Sequence, residues 1–122
     1  MINETRLREL HLRDAIPIQL GNLASSVKRL GFLVHSQKPR GITEQLFQEC
    51  RLFAAWTISG ANPETRADLE ALQVDLAGWQ NDLQNGAADD TQRADISAAC
   101  TRWAERLLEH SGLLKTGRPV SL

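Results

Sequence analysis

Apolar residues recur every three or four positions through most of the chain, which is the spacing of amphipathic helices. The most regular stripe runs from Leu69 to Leu83, and similar stripes occupy residues 20–34, 46–56 and 96–107. No stretch alternates between apolar and polar residues as a half-buried strand would. The pattern therefore predicts four long helices, preceded by a short helix near the N-terminus.

Polar caps and glycines predict where these helices begin and end. Side chains of the N-cap type precede the stripes, whereas glycine or Asn-Gly follows them. We expect N-caps at Asn3, Thr43, Asn62 and either Asp89 or Asp90, and helix ends at Gly60, Gly86 and Gly112. Pro63 directly follows Asn62 and suits the first turn of a helix. Gly60 is expected to adopt a left-handed conformation.

Short connections between the four long helices place successive helices antiparallel. The predicted fold is all-α: an up-down-up-down antiparallel four-helix bundle with a short accessory N-terminal helix. A chain of 122 residues with 42% hydrophobic and 24% charged residues has the size and composition of one folded domain. We therefore expect a single domain over 1–122, with an N-terminal arm or helix in 1–15 and a C-terminal tail in 113–122.

The overall charge excludes strong general attraction to nucleic acid or to an acidic membrane. Fourteen basic residues face fifteen acidic ones, for a net charge of −1. No apolar run approaches the roughly 20 residues of a membrane helix, and the N-terminal segment has no apolar core of a secretion signal. The sequence thus predicts a cytoplasmic protein without membrane or nucleic-acid partners, in which Cys50 and Cys100 remain reduced small core residues.

The third predicted helix carries more apolar residues than one buried stripe requires. Its apolar positions between residues 42 and 58 form two adjoining stripes, and Leu52 lies further round the helix. The additional surface either packs beneath the N-terminal helix or forms an interface. For the second alternative, Leu52, Phe53 and Trp56 are the candidate contact residues, with Trp56 as the binding anchor.

Charge is distributed unevenly along the chain. Residues 15–43 contain four basic and no acidic residues: Lys28, Arg29, Lys38 and Arg40. Residues 64–90 contain seven acidic residues and one basic residue. This asymmetry is typical of two ordinary solvated faces, and its functional interpretation is complementary docking with a charged partner or a second copy of the chain. The leading hypothesis is a non-enzymatic protein-interaction or regulatory module, with self-association left open and Arg29, Lys38 and Arg40 joining the apolar contact residues.

One enzymatic alternative comes from Arg29 and His35, which are separated by five residues. This spacing resembles the arginine–histidine motif of HEPN-type ribonucleases, which are small helical bundles that cleave RNA without a metal. The resemblance implies that Arg29 stabilises a phosphate and that His35 transfers a proton. The sequence has no Glu-x-x-His or His-x-x-x-His pair, so we expect no metal site and no cofactor.

Overall fold

The computed structural model describes residues 3–36, 40–86 and 89–112. Within these ranges the chain forms five helices and no strand, which confirms the predicted all-helical class. The helices are α1 (Glu4–Arg13), α2 (Ile16–Ser36), α3 (Arg40–Ile58), α4 (Pro63–Gln84) and α5 (Asp90–Ser111). The predicted tail, 113–122, lies outside the described residues.

Three of the predicted N-caps are confirmed by hydrogen bonds. In each case a side-chain oxygen accepts a backbone N–H three residues along the chain, satisfying a donor that the helix itself leaves unpaired. The pairs are Asn3 with Arg6 at 3.2 Å, Asn62 with Thr65 at 2.8 Å, and Asp89 with Gln92 at 2.8 Å. Local sequence therefore determines the beginnings of α1, α4 and α5.

Two predicted features at the ends of α3 are wrong. The helix begins at Arg40, so Thr43 lies in its first turn instead of capping it. Gly60 follows α3 without a positive φ, in contrast to Gly86 (68°) and Gly112 (78°). A Cβ atom on Gly60 would lie 2.8 Å from Cδ1 of Ile16. The glycine thus permits close packing against the start of α2, and no left-handed conformation is needed.

Helices α2 to α5 contribute side chains to one hydrophobic core. Leu23, Leu69 and Leu107 are completely buried within it. The closest helix packing joins α2 to α5, where a Cβ atom on Gly31 would lie only 2.8 Å from Cβ of Cys100. A small residue at position 31 is therefore required for this approach.

The N-terminal helix α1 packs mainly against α3. His11 is its only buried residue, and Leu7 contributes partly buried apolar surface. The N-terminal helix is thus an accessory element attached to the side of α3.

In the described parts of the chain, no helix combines the length and apolar content needed to cross a membrane.

Candidate functional site

The predicted interface residues lie in separate places on the structure. Phe53 and Trp56 face α1, and Phe53 is only 8% exposed. Leu52 lies instead beside a polar groove between α3 and α4. Arg29 lines a shallow groove between α2 and α3. These residues therefore do not form one continuous contact surface.

The two remaining predicted interface residues come from the connection between α2 and α3. Lys38 lies outside the described residues. Arg40 is the first residue of α3, so its backbone lies at the end of the molecule where α2 finishes. Its backbone is two residues before Ile42, which lines the same groove as Arg29.

The most exposed aromatic side chain of the described residues is Phe32, near the end of α2. It is 62% exposed, and Ile42 in the first turn of α3 is 53% exposed. Ile42, Leu33 and Arg29 line the groove between these helices. We give the name α2–α3 corner to these three groove residues together with Phe32, which lies three residues after Arg29 on α2. It combines exposed apolar area with a positive charge.

The exposure of Phe32 was missed by the sequence analysis, although the pattern contains the signal. The buried residues Val27, Leu30 and Val34 define the inner stripe of α2. Phe32 lies about 160° away from Leu30 around a helix that turns about 100° per residue. An aromatic residue so far from the buried stripe indicates a solvent-facing position.

A second feature is the contact between His11 and the last turns of α3. The His11 ring stacks on Phe53 with centroids 4.4 Å apart and an interplanar angle of 18°. Its centroid lies 5.9 Å from that of Trp56. Nε2 of His11 is hydrogen-bonded to the Thr57 hydroxyl at 2.8 Å. One polar side chain thus holds α1 against an otherwise aromatic surface.

Burial lowers the pKa of His11, because the protein interior disfavours the charged imidazolium. The negative charge of Asp14 acts in the opposite direction but is the smaller effect. The second ring nitrogen, Nδ1, is buried and has no hydrogen-bond partner. His11 is therefore held as the neutral imidazole at neutral pH.

A third feature is a polar cluster that joins α4 to α5. Nε2 of His110 is hydrogen-bonded to the Asp68 carboxylate at 2.6 Å, and its Nδ1 is hydrogen-bonded to the Thr65 hydroxyl at 3.1 Å. Arg106 donates to the same Asp68 oxygen at 2.8 Å. Partial burial raises the pKa of Asp68, but the hydrogen bonds and charges of His110 and Arg106 outweigh burial, so its pKa lies below the ordinary value. The Asp68 carboxylate is thus ionised at neutral pH.

The order of hydroxyl, imidazole and carboxylate in this cluster matches that of a catalytic triad. A nucleophile must nevertheless reach its substrate, and Thr65 is only 3% exposed. Its hydroxyl is also engaged in the hydrogen bond between α4 and His110 of α5. The cluster is therefore suited to joining two helices, and the geometry does not favour acyl transfer.

Arg29 and His35, the pair behind the ribonuclease hypothesis, are both exposed and lie on the single helix α2. Six residues of helix correspond to about 600° of rotation, so the two side chains leave the axis about 120° apart and about 9 Å along it. α2 alone thus does not bring the two side chains to one phosphate group. The ribonuclease activity stays a prediction without geometric support.

The two cysteines are free and buried in the core. Burial raises the pKa of Cys50, and it raises that of Cys100 to about 12. Neither thiol is therefore activated for chemistry at neutral pH. Among the described residues, no three His, Cys, Asp or Glu side chains form a group suited to holding a metal ion.

Comparisons with protein-family models, with curated proteins and with solved structures found no match to this chain. Evidence about its function therefore comes from the arrangement of its own residues.

Proposed function

We propose that this chain is a helical protein-interaction module that binds an acidic, partly apolar segment of another protein at the α2–α3 corner. In this proposal, helices α2 to α5 form the predicted up-down-up-down bundle, and the bundle serves as a rigid support for the corner.

The observation that carries the proposal is the exposure of Phe32 and Ile42. Single exposed apolar residues are common on soluble proteins, but Phe32 lies near the end of α2 and Ile42 in the first turn of α3, so two of them flank one helix connection, and apolar area concentrated in this way is typical of binding surfaces. Arg29 lies three residues before Phe32 and is therefore its neighbour on the surface of α2. Aromatic and arginine side chains supply much of the binding energy at protein interfaces.

The charge of the corner favours an acidic partner. No acidic residue occurs between residues 15 and 43, and Glu49, which lines the groove, already accepts a hydrogen bond from Ser26 at 2.8 Å. Opposite charge increases the rate of encounter and fixes orientation, whereas the apolar side chains provide most of the affinity. A segment with both acidic and apolar residues fits these requirements.

The acidic residues of α4 are poorly placed to attract a second copy. Asp68, Asp75 and Asp82 accept hydrogen bonds from α5, through His110 and Arg106, Trp103 and Gln92 respectively. These hydrogen bonds direct the three carboxylates toward α5, although only Asp68 is paired with a positive charge, so the acidic residues are less free to dock a second copy than the sequence suggested. A different protein is therefore favoured over a second copy as the occupant of the corner.

Contacts between helices support the proposed antiparallel arrangement. Along α4, Asp68, Asp75 and Asp82 contact progressively earlier residues of α5. The same reversal relates α2 to α3, because Ser26 bonds Glu49, whereas Leu33 shares a groove with Ile42. The short connection between α3 and α4, residues 59–62, fits antiparallel neighbours.

The test is a selection of random displayed peptides on the folded, immobilised chain, followed by affinity measurements on variants. We expect the selected peptides to combine acidic and apolar residues. Phe32→Ser should weaken their binding by about thirtyfold, equivalent to a loss of about 2 kcal/mol. Arg29→Glu should also weaken their binding, and the loss should be larger at low salt concentration, because salt then screens the repulsion between the new carboxylate and the acidic peptide less.

Val74→Ser is the matched control, because Val74 is 72% exposed but lies on α4. It should leave peptide binding unchanged. Equal binding by the Phe32→Ser and Val74→Ser variants would contradict the proposal. Sedimentation of the wild-type chain tests the other occupant: a dimer that Phe32→Ser dissociates would assign the corner to self-association instead.

A further inference from the structure

His11 occupies an unusual position for a histidine on a peripheral helix. It is 3% exposed and lies in the last turn of α1. Its Nε2 has the Thr57 hydroxyl as a partner, but its Nδ1 is buried and unpaired. A neutral imidazole tolerates this arrangement because Nδ1 can remain unprotonated. An imidazolium carries a hydrogen on both nitrogens, so it would leave a charged donor buried without an acceptor.

The groups around His11 offer the imidazolium little compensation. α3 presents Phe53, Trp56 and Thr57, none of which is charged. From α1 and its C-cap, the charge of Asp14 favours the proton, as does the negative end of the helix dipole. From α2, Gln19 donates to the Asp14 backbone oxygen at 2.8 Å and carries no charge.

We infer that α1 is an acid-sensitive cover over the end of α3: when His11 takes up a proton, α1 detaches, and Phe53 and Trp56 become exposed. This inference goes beyond the proposed function, because the surface that it releases is different from the α2–α3 corner. It identifies a conditional apolar surface formed by two of the residues that the sequence analysis selected as contact residues.

The attachment of α1 depends strongly on this one side chain. His11 is the only fully buried residue of α1, and α1 packs mainly against α3. Helix α1 has ten residues, which is too short for a stable isolated helix in water. Loss of the His11 contact should therefore release the whole of α1, while the core formed by α2 to α5 remains folded.

The sign of the pH dependence follows from the lowered pKa of buried His11. The detached helix binds a proton with an ordinary histidine pKa of 6.5, whereas the attached helix binds it only at lower pH. Attachment is therefore fully favourable above pH 6.5 and weakens as the pH falls below that value. The opening equilibrium constant should rise by up to about tenfold for each pH unit, until the pKa of the attached state is reached.

Hydrogen–deuterium exchange of the full chain between pH 7.5 and 5.0 tests this inference, with rates corrected for the intrinsic effect of pH on amide exchange. In the wild type, amides of α1 should lose protection as the pH falls below 6.5, by up to about tenfold for each pH unit. Amides in the centres of α2 and α5 should keep their protection over the same range. NMR titration of the histidines should show His11 titrating below 6.5.

Two variants separate the role of His11 from other effects of acid. His11→Phe keeps a ring stacked on Phe53 and cannot be protonated, so protection of α1 should become independent of pH. His35→Gln removes an exposed histidine of α2 and should behave like the wild type. The inference is overturned if α1 of the wild type stays protected at pH 5, or if His11→Phe loses protection with the same pH profile. If His11→Phe fails to fold, a His11 that titrates at or above 6.5 in the wild type overturns it equally.

Discussion

Replacement of Gly31 by alanine should destabilise the protein, although the same change stabilises most helices. Alanine in a helix interior is favoured over glycine by about 0.8–1 kcal/mol. At Gly31, however, the new Cβ would lie 2.8 Å from Cβ of Cys100 and 3.2 Å from the backbone oxygen of Ser97. Carbon atoms pack favourably at about 3.5–4 Å, so α2 and α5 would have to separate. Overpacking of this kind costs about 1–3 kcal/mol, which leaves a net loss of up to about 2 kcal/mol.

Urea unfolding followed by far-UV circular dichroism measures this difference, and Gly78 supplies the matched control. Gly78 also lies within a helix, but a Cβ atom there has no neighbour within 4 Å. We expect Gly31→Ala to lower the midpoint by up to about 1 M and Gly78→Ala to raise it. If Gly31→Ala also raises the midpoint, then α2 and α5 are not packed as closely as the structure indicates, and the reasoning is refuted.

Three further predictions concern the polar cluster, the core and the cysteines. Asp68→Asn should reduce the free energy of unfolding by about 1–2 kcal/mol at pH 7. The pKa of Asp68 is lower in the fold than in the unfolded chain, so its charge stabilises the fold above the unfolded pKa, and the variant should lack the part of the acid destabilisation that occurs below pH 4. Urea unfolding from pH 7 to pH 2.5 checks both expectations. Leu72→Ala should cost about 2–5 kcal/mol in the same assay at pH 7, because the side chain is completely buried. Cys50 and Cys100 should react with a thiol reagent at pH 7.5 only as fast as the protein unfolds or opens locally. Mass spectrometry follows the labelling, and rapid labelling would show that the thiols are accessible.

Sequence predicted those parts of the fold that depend on neighbouring residues. The cap at Asn62 needs only the N–H of Thr65, and the positive φ of Gly86 belongs to the turn that follows α4. Gly60 behaves differently, because its constraint comes from Ile16, which is distant in sequence. Its role could not be inferred from local pattern, and the left-handed conformation assigned by analogy with other helix ends was wrong.

The functional surfaces were predictable to different degrees for similar reasons. The position of Phe32 outside the buried stripe of α2 was visible in the periodicity, and the basic residue Arg29 beside it was identified. The burial of His11 was not predictable, because histidine is equally common at exposed positions and its partner Thr57 is 46 residues away. Only the packing of α1 against α3 brings these two side chains together.

Helix α3 connects the two surfaces while keeping them apart. Ile42 lies in its first turn and Phe53 near its end, which separates them by about 16 Å along the axis. The core beneath this length includes the buried residues Phe47 and Cys50, and α1 adds only the partly buried Leu7 to its apolar side chains. Release of α1 should therefore expose Phe53 and Trp56 without altering the corner. Two independent surfaces connected by the rigid helix α3 would allow acid to add a second contact to a partner already held at the first, which raises affinity through effective concentration.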